Sequence, residues 1–213
     1  MQTTLRRSNV DRSAETKSKL LAAAEACLTE LGYAKTTTGR VCERAQVSKG
    51  ALLHHFETRC NLLSSTLENI YAELTVQFNS DIDDIQFEAE RPVKLVHALW
   101  RVFDSTRMKP VIELWLASSN DEPLKERVFP VMNAFAENLY PQTLALFPAL
   151  GEREGAVERL VDPLFCTLEG YALECSTFGR DSSNSNRVRT MLETWVTNTI
   201  AIETPPPTTR SER

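Results

Sequence analysis

Lys49 and Arg59, the hydroxyls of Thr37, Thr38 and Ser48, and two adjacent imidazoles fall within residues 37–59, a mixture suited to gripping a nucleic-acid backbone rather than breaking bonds. Lys49 and Arg59 stand where the pattern starts two helices, beside the free N–H groups that already favour phosphate. Thr37, Thr38 and Ser48 offer hydroxyls that can accept from an orphan backbone N–H and donate outward to phosphate. Gly50 and Ala51 carry so little side chain that a backbone can come close. Leu52 offers an apolar contact for a thymine methyl, with a place in the local core as the alternative. His54 and His55 raise the question of a metal or of acid–base chemistry. Neighbours on a helix point about 100° apart, so the two share one ion poorly. No Cys or carboxylate stands at ligand spacing from them, and a phosphate contact is the better reading.

The elements that must position these residues are short. Val41, Cys42 and Ala45 recur at helical spacing on one face and leave Arg40, Glu43 and Arg44 outward, with Thr37 as cap. A second helix opens at Ser48 and runs to Phe56, and only Gln46 and Val47 separate the two. That is a helix-turn-helix, whose second helix fits a major groove about 12 Å wide. Ahead of it, Leu20, Leu21, Ala24, Cys27, Leu28 and Leu31 mark an amphipathic brace from about Ser13, closed by Gly32.

The longer string is more specific. Gly32-Tyr33, Thr37, Val41, Ala45, Val47-Ser48-Lys49-Gly50, Leu52, His54-His55-Phe56, Arg59 and Leu62-Leu63 resemble, in order and spacing, the TetR family of transcriptional regulators. The resemblance spans about residues 14–68. Three departures stand out: Gln46 replaces the usual glycine, Leu53 the usual tyrosine, and Cys60-Asn61 the usual acidic pair. They predict mild strain in the turn, one phosphate contact fewer and a weakened capping box for the following helix.

Charge distribution agrees. The net charge is −5, yet residues 1–60 hold ten Lys/Arg and six Asp/Glu, and the remainder holds fourteen and twenty-three. A basic head (+4) on an acidic body (−9) suits a DNA reader with a separate second module. Five cysteines without metal-type spacing, no signal-peptide core and no long apolar run predict a cytoplasmic protein with reduced thiols. Cys60, beside Arg59 at a helix start, is the candidate for a redox-active thiol.

Four segments are expected: a flexible basic arm (1–12, with Arg6, Arg7 and Arg12), the helix-turn-helix domain (13–60), a larger helical domain (61–203) and a disordered tail (204–213). In the larger domain helical spacing runs to about Phe78, a loop covers Asp81–Arg91, and Pro92 opens a helix. Pro110 precedes a short apolar helix and Pro123 opens a long one that Pro130 and Pro141 should kink or break. Long apolar stripes then cover about 153–178 and 186–202. The expected fold is all-α, with about nine helices.

The resemblance implies a bacterial regulator that binds double-stranded operator DNA as a homodimer through those last two helices. It also implies a small-molecule effector pocket, for which Trp100, Phe103, Trp115, Phe135, Phe165 and Tyr171 are the candidates, with His97, Arg101 and Glu169 as polar groups. Core packing is the competing reading for each aromatic. No phosphate loop, nucleophile elbow, zinc spacing or carboxylate pair occurs, so no catalytic residue, metal or cofactor is assigned. The reading is a ligand-responsive repressor. The alternatives are an activator or thiol-redox regulator and, further off, a helical carrier or enzyme with a vestigial head.

Overall fold

The computed structural model describes residues 9–151, 154–155 and 157–203. Nine helices of seven residues or more follow one another among them, and no strand. They are α1 (Asn9–Leu31), α2 (Thr38–Ala45), α3 (Lys49–His55), α4 (Arg59–Asp83), α5 (Arg91–Phe103), α6 (Met108–Ser118), α7 (Glu122–Ala145), α8 (Asp162–Phe178) and α9 (Ser182–Glu203). A 3-10 turn at Glu88–Glu90, one α-turn at Pro148–Gly151 and a π-turn at Val157–Val161 join them.

The boundaries depart from the sequence pattern in four places. α1 begins at Asn9, so Arg12 is helical rather than part of a loose arm, and Asp11 in the first turn complements the helix dipole. Arg6 and Arg7 lie outside the described residues, as does the tail 204–213. α4 runs past Phe78 to Asp83, its last turns laced by a Gln77–Asp81 hydrogen bond of 3.1 Å. α7 continues through both Pro130 and Pro141 instead of breaking. Ser64 donates to the Arg127 carbonyl at 3.1 Å, tying α4 to α7 within the first unit. The helix expected from about residue 153 starts instead as α8 at Asp162, where Pro163 occupies the first turn at no cost in hydrogen bonds.

The chain forms two compact units. The first takes Met1–Glu73 with Lys109–Ala134, the second Leu74–Met108 with Phe135–Arg213. Within the first unit, Leu20, Ala24 and Cys27 of α1, Val41 and Cys42 of α2, Leu52 of α3, and Phe56 and Leu62 close one apolar core. At about 25 cal/mol per Å² of apolar surface, such a core is what holds helices of seven and eight residues that would not persist alone.

In the second unit α5 packs against both α8 and α9. Leu95, Val96, Leu99 and Phe103 meet a layer made from Leu164, Phe165, Leu168, Leu192 and Val196, all buried. Polar pins fix the register. The Tyr171 hydroxyl bonds the Asp104 carboxylate at 2.7 Å and Ser185 at 2.6 Å, and Arg180 donates to Asp104 at 2.9 Å. His97 meets Glu193 at 2.8 Å, and Arg159 meets Glu203 at 2.7 Å.

Candidate nucleic-acid interface

The caps expected from the sequence are formed. Thr37 is extended and its hydroxyl accepts from the Arg40 N–H at 3.3 Å; Ser48 does the same for Ala51 at 3.2 Å. Each satisfies one donor that a helix start leaves orphaned. Between the helices Gln46 sits at φ 54°, ψ 43°, the one non-glycine with positive φ among the described residues. Its N–H reaches the Glu43 carbonyl and that of Val47 the Cys42 carbonyl, which reverses the chain within two residues. A left-handed glutamine costs about 1 kcal/mol that glycine would not.

The turn points the start of α3 outward. Thr37, Ser48, Lys49, Gly50 and His54 are exposed, while Thr38, Ala51 and His55 are half-buried. A Cβ added to Gly50 meets nothing within 4 Å. Glycine there is unneeded by the fold, and alanine is the better helix former by about 0.5–1 kcal/mol. Gly50→Ala is therefore expected to leave or slightly raise the melting temperature while weakening DNA binding several-fold, read by thermal melting and fluorescence anisotropy. Unchanged DNA affinity would mean that the backbone at Gly50 does not approach the duplex.

One candidate contact is corrected. Leu52 is fully buried (0% exposed) in the head's core, so it cannot reach a base; Leu53, discounted in the sequence, is 49% exposed on the outer face of α3. One residue of helical phase exchanges their roles. Arg59 braces the head. Its Nε donates to the Thr36 carbonyl at 2.8 Å, an Nη2 donates to the Tyr33 carbonyl, and the guanidinium lies 4.0 Å over the Tyr33 ring. Tyr33 is held in turn: its hydroxyl donates to Asp121 and its N–H to Glu113 at 2.9 Å. The Tyr33 donor and the Leu124 N–H hold the Asp121 carboxyl below the usual carboxylate range. Gly32 at φ 76° is required here, since a Cβ would stand 3.0 Å from the Glu113 carboxylate.

The start of α4 keeps a cap despite its unusual residues. Thr58 accepts from the Asn61 N–H at 3.1 Å and its hydroxyl donates to the Asn61 side chain, so asparagine takes the place of the acid. Cys60 is not activated. Burial and the nearby Asp121 push its thiol up, against the smaller opposing pull of Arg59 and Arg127. Burial also raises the Cys42 thiol. Neither favours a thiolate.

The aromatics proposed for an effector site divide. Trp100 and Tyr171 lie 4.3 Å apart, centroid to centroid, and Phe103 and Phe165 meet edge to face at 5.8 Å. Phe135 is buried too, and all five belong to the second unit. Trp115 is 39% exposed and belongs to the first unit, which removes it from that group. Tyr140, which the sequence reading passed over, packs 4.5 Å from Phe165. Its signal was the α7 periodicity that the expected break at Pro141 obscured. Burial raises the Glu169 carboxyl, and burial, then the Glu169 carboxylate, raises the Tyr140 hydroxyl. His97 is paired with Glu193, and Arg101 with Asp81 at 3.2 Å.

Comparison with known proteins places this geometry. The model of the bacterial regulatory proteins of the tetR family matches residues 20–66, the segment that builds the core, both caps and the turn. An uncharacterized HTH-type transcriptional regulator of Mycobacterium tuberculosis is 31% identical over 143 residues, 66% of this chain and 72% of the relative. The chain belongs to the TetR family. It is a DNA-binding transcriptional regulator. The HTH-type regulator CymR of Pseudomonas putida is 27% identical to this TetR-family chain over 86% of its length and 90% of the relative's. Among solved structures, a transcriptional regulator from a Rhodococcus species superposes with TM-score 0.70 at 17% identity, covering 89% of this chain and 99% of the other. FadR of Bacillus subtilis, solved with stearoyl-CoA, superposes with TM-score 0.66 at 18% identity over 84% and 98%. At those identities the likeness is one of fold. No helix among the described residues is long and apolar enough to cross a membrane.

Proposed function

We propose that this TetR-family regulator is a homodimeric, ligand-responsive repressor that binds a roughly palindromic operator in the cytoplasm. The observation that carries the DNA half is the outward N-terminal face of α3. Ser48, Lys49 and Gly50 stand exposed there on a helix whose other side is locked into the core by Leu52. Lys49 serves phosphate, with Thr37, Thr38 and Ser48 around it, and Leu53 rather than Leu52 offers the apolar contact for a thymine methyl.

The dimer half rests on α8 and α9. Phe178, Met191 and Ile202 are exposed large apolar residues on or at the ends of these helices, and Gly170 on α8 opens onto free space. Two such pairs meeting about a two-fold axis form a four-helix bundle. A dimer places two α3 helices in successive major grooves about 34–36 Å apart.

The effector half rests on the second unit, where Phe165 packs against both Phe103 and Tyr140 and the raised carboxyl of Glu169 acts on Tyr140. A small molecule there need only prefer a form whose heads no longer match the operator. A preference of about 2–3 kcal/mol weakens binding on the order of 100-fold. Thiol oxidation is the weaker trigger, because Cys42 and Cys60 are both held away from the thiolate.

Analytical ultracentrifugation tests the assembly. The free protein is expected to sediment as a dimer, and an operator duplex to take up two chains or a multiple of two. A monomer in both states contradicts it.

A further inference from the structure

The DNA-facing surface does not end with α3. Val10, Ser13, Ala14 and Lys17 from the first turns of α1 and His54 and His55 from the last turn of α3 line an open groove of about 510 Å³. Val10, Ala14 and Lys17 are spaced i, i+4, i+7 and so share one face of α1. The lining holds an ammonium, two imidazoles and a hydroxyl, and no carboxylate. It is continuous with the exposed face of α3 through His54. Groups that gather positive charge at the edge of a recognition helix fit a polyanion running beside that helix.

We propose that this groove seats a backbone phosphate of the operator against Lys17, His54 and His55, and that operator binding consequently takes up a proton. The inference rests on the DNA-binding reading and adds to it α1 residues and a pH dependence.

The electrostatics of the empty groove support it. Burial, then His54 on the same helix and Lys17 on α1, hold the His55 imidazole below the ordinary histidine range. His55 packs on its other side against Phe56, with ring centroids 6.2 Å apart, and His54 meets it edge-on at 5.4 Å. With nothing in the groove, the imidazole beside Lys17 therefore stays neutral at neutral pH. A phosphate placed between them cancels the repulsion and raises the imidazole's affinity for a proton. A group whose bound-state value lies above its free-state value favours binding fully at pH below the free value. That advantage is lost as pH rises through the bound value. The window thus opens below the usual value of about 6.5 and extends upward from it.

The test uses the full-length protein and an operator duplex selected from random sequence, titrated by anisotropy from pH 5.5 to 8.5 at fixed ionic strength. Affinity is expected to fall as pH rises, with a slope approaching tenfold per pH unit for one proton. The His54→Gln/His55→Gln double variant should bind with little pH dependence, near the wild-type high-pH limit. Lys17→Gln should weaken binding and lower the salt slope by about one. A direct readout needs no variant: on adding duplex, the His55 Cε1 proton resonance should titrate at higher pH. Tight binding with a flat wild-type profile, or an unchanged slope in the double variant, overturns the proposal alone. Failure to bind any duplex at any pH overturns the reading beneath it as well.

Discussion

Leu52→Ala is expected to cost about 3 kcal/mol and to abolish operator binding by loosening the head, not by removing a base contact. Leu52 is wholly buried among α1, α2 and α4 residues in the core of the head. Truncating its isobutyl group to a methyl loses transfer free energy and leaves a cavity in that core. For a chain of this length that corresponds to a fall of about 6–12 °C in the transition that reports the first unit. Leu53→Ala, one position on, removes an exposed side chain and should change stability by less than about 0.5 kcal/mol. Any effect it has on DNA affinity is then a contact effect. The paired melting curves decide the matter: equal melting temperatures for the two variants would contradict the assignment of the faces.

Arg59→Ala is expected to be the second-largest effect, about 2–3 kcal/mol, from the loss of two charge-assisted bonds and a cation–ring stack. Arg59 ties the start of α4 to the Tyr33 and Thr36 carbonyls, and Tyr33 is itself tied to Glu113 and Asp121. The variant frees two carbonyls and the Tyr33 ring at the hinge between α1 and α2. Arg59→Lys should restore little, because an ammonium lacks the planar fork that reaches both carbonyls and stacks. Lys49→Ala is the contrast. It should melt like the wild type, yet bind all duplexes more weakly and with a salt slope reduced by about one. If Arg59→Ala melts like the wild type and shows only that same salt effect, Arg59 is a phosphate ligand after all.

These two residues also show where sequence reasoning reaches and where it stops. The caps, the turn and the apolar spacing of the helix-turn-helix were legible because each is a local rule: a hydroxyl before a helix, an i, i+3, i+4 stripe, a chain reversal within two residues. Leu52 and Leu53 were not separable. In a seven-residue helix the buried face is decided by where α1 packs, and a phase error of one residue moves a side chain by about 100°. The bracing role of Arg59 was hidden for a different reason. Its partners are backbone carbonyls 23 and 26 residues earlier, and a carbonyl has no sequence signature. Cys60 looked activated because Arg59 is adjacent in sequence; burial and Asp121, distant in sequence, outweigh that cation. α7 was expected to kink or break because the proline rule is local, and it continues as one helix through both prolines. Trp115 joined the pocket candidates on residue type alone, and residue type does not distinguish a buried ring from an exposed one. Lys17 went unremarked because it lies outside the motif string, although its spacing from Val10 and Ala14 already placed the three on one face.

The most direct test of the central claim is selection of randomised duplex DNA on the purified full-length protein, followed by salt titration of the enriched sequence. The account predicts an inverted repeat whose half-sites are centred about one helical turn or a multiple of it apart, with affinity falling steeply as salt rises. A folded, monodisperse protein that enriches no sequence, or binds one with no salt dependence, would contradict it.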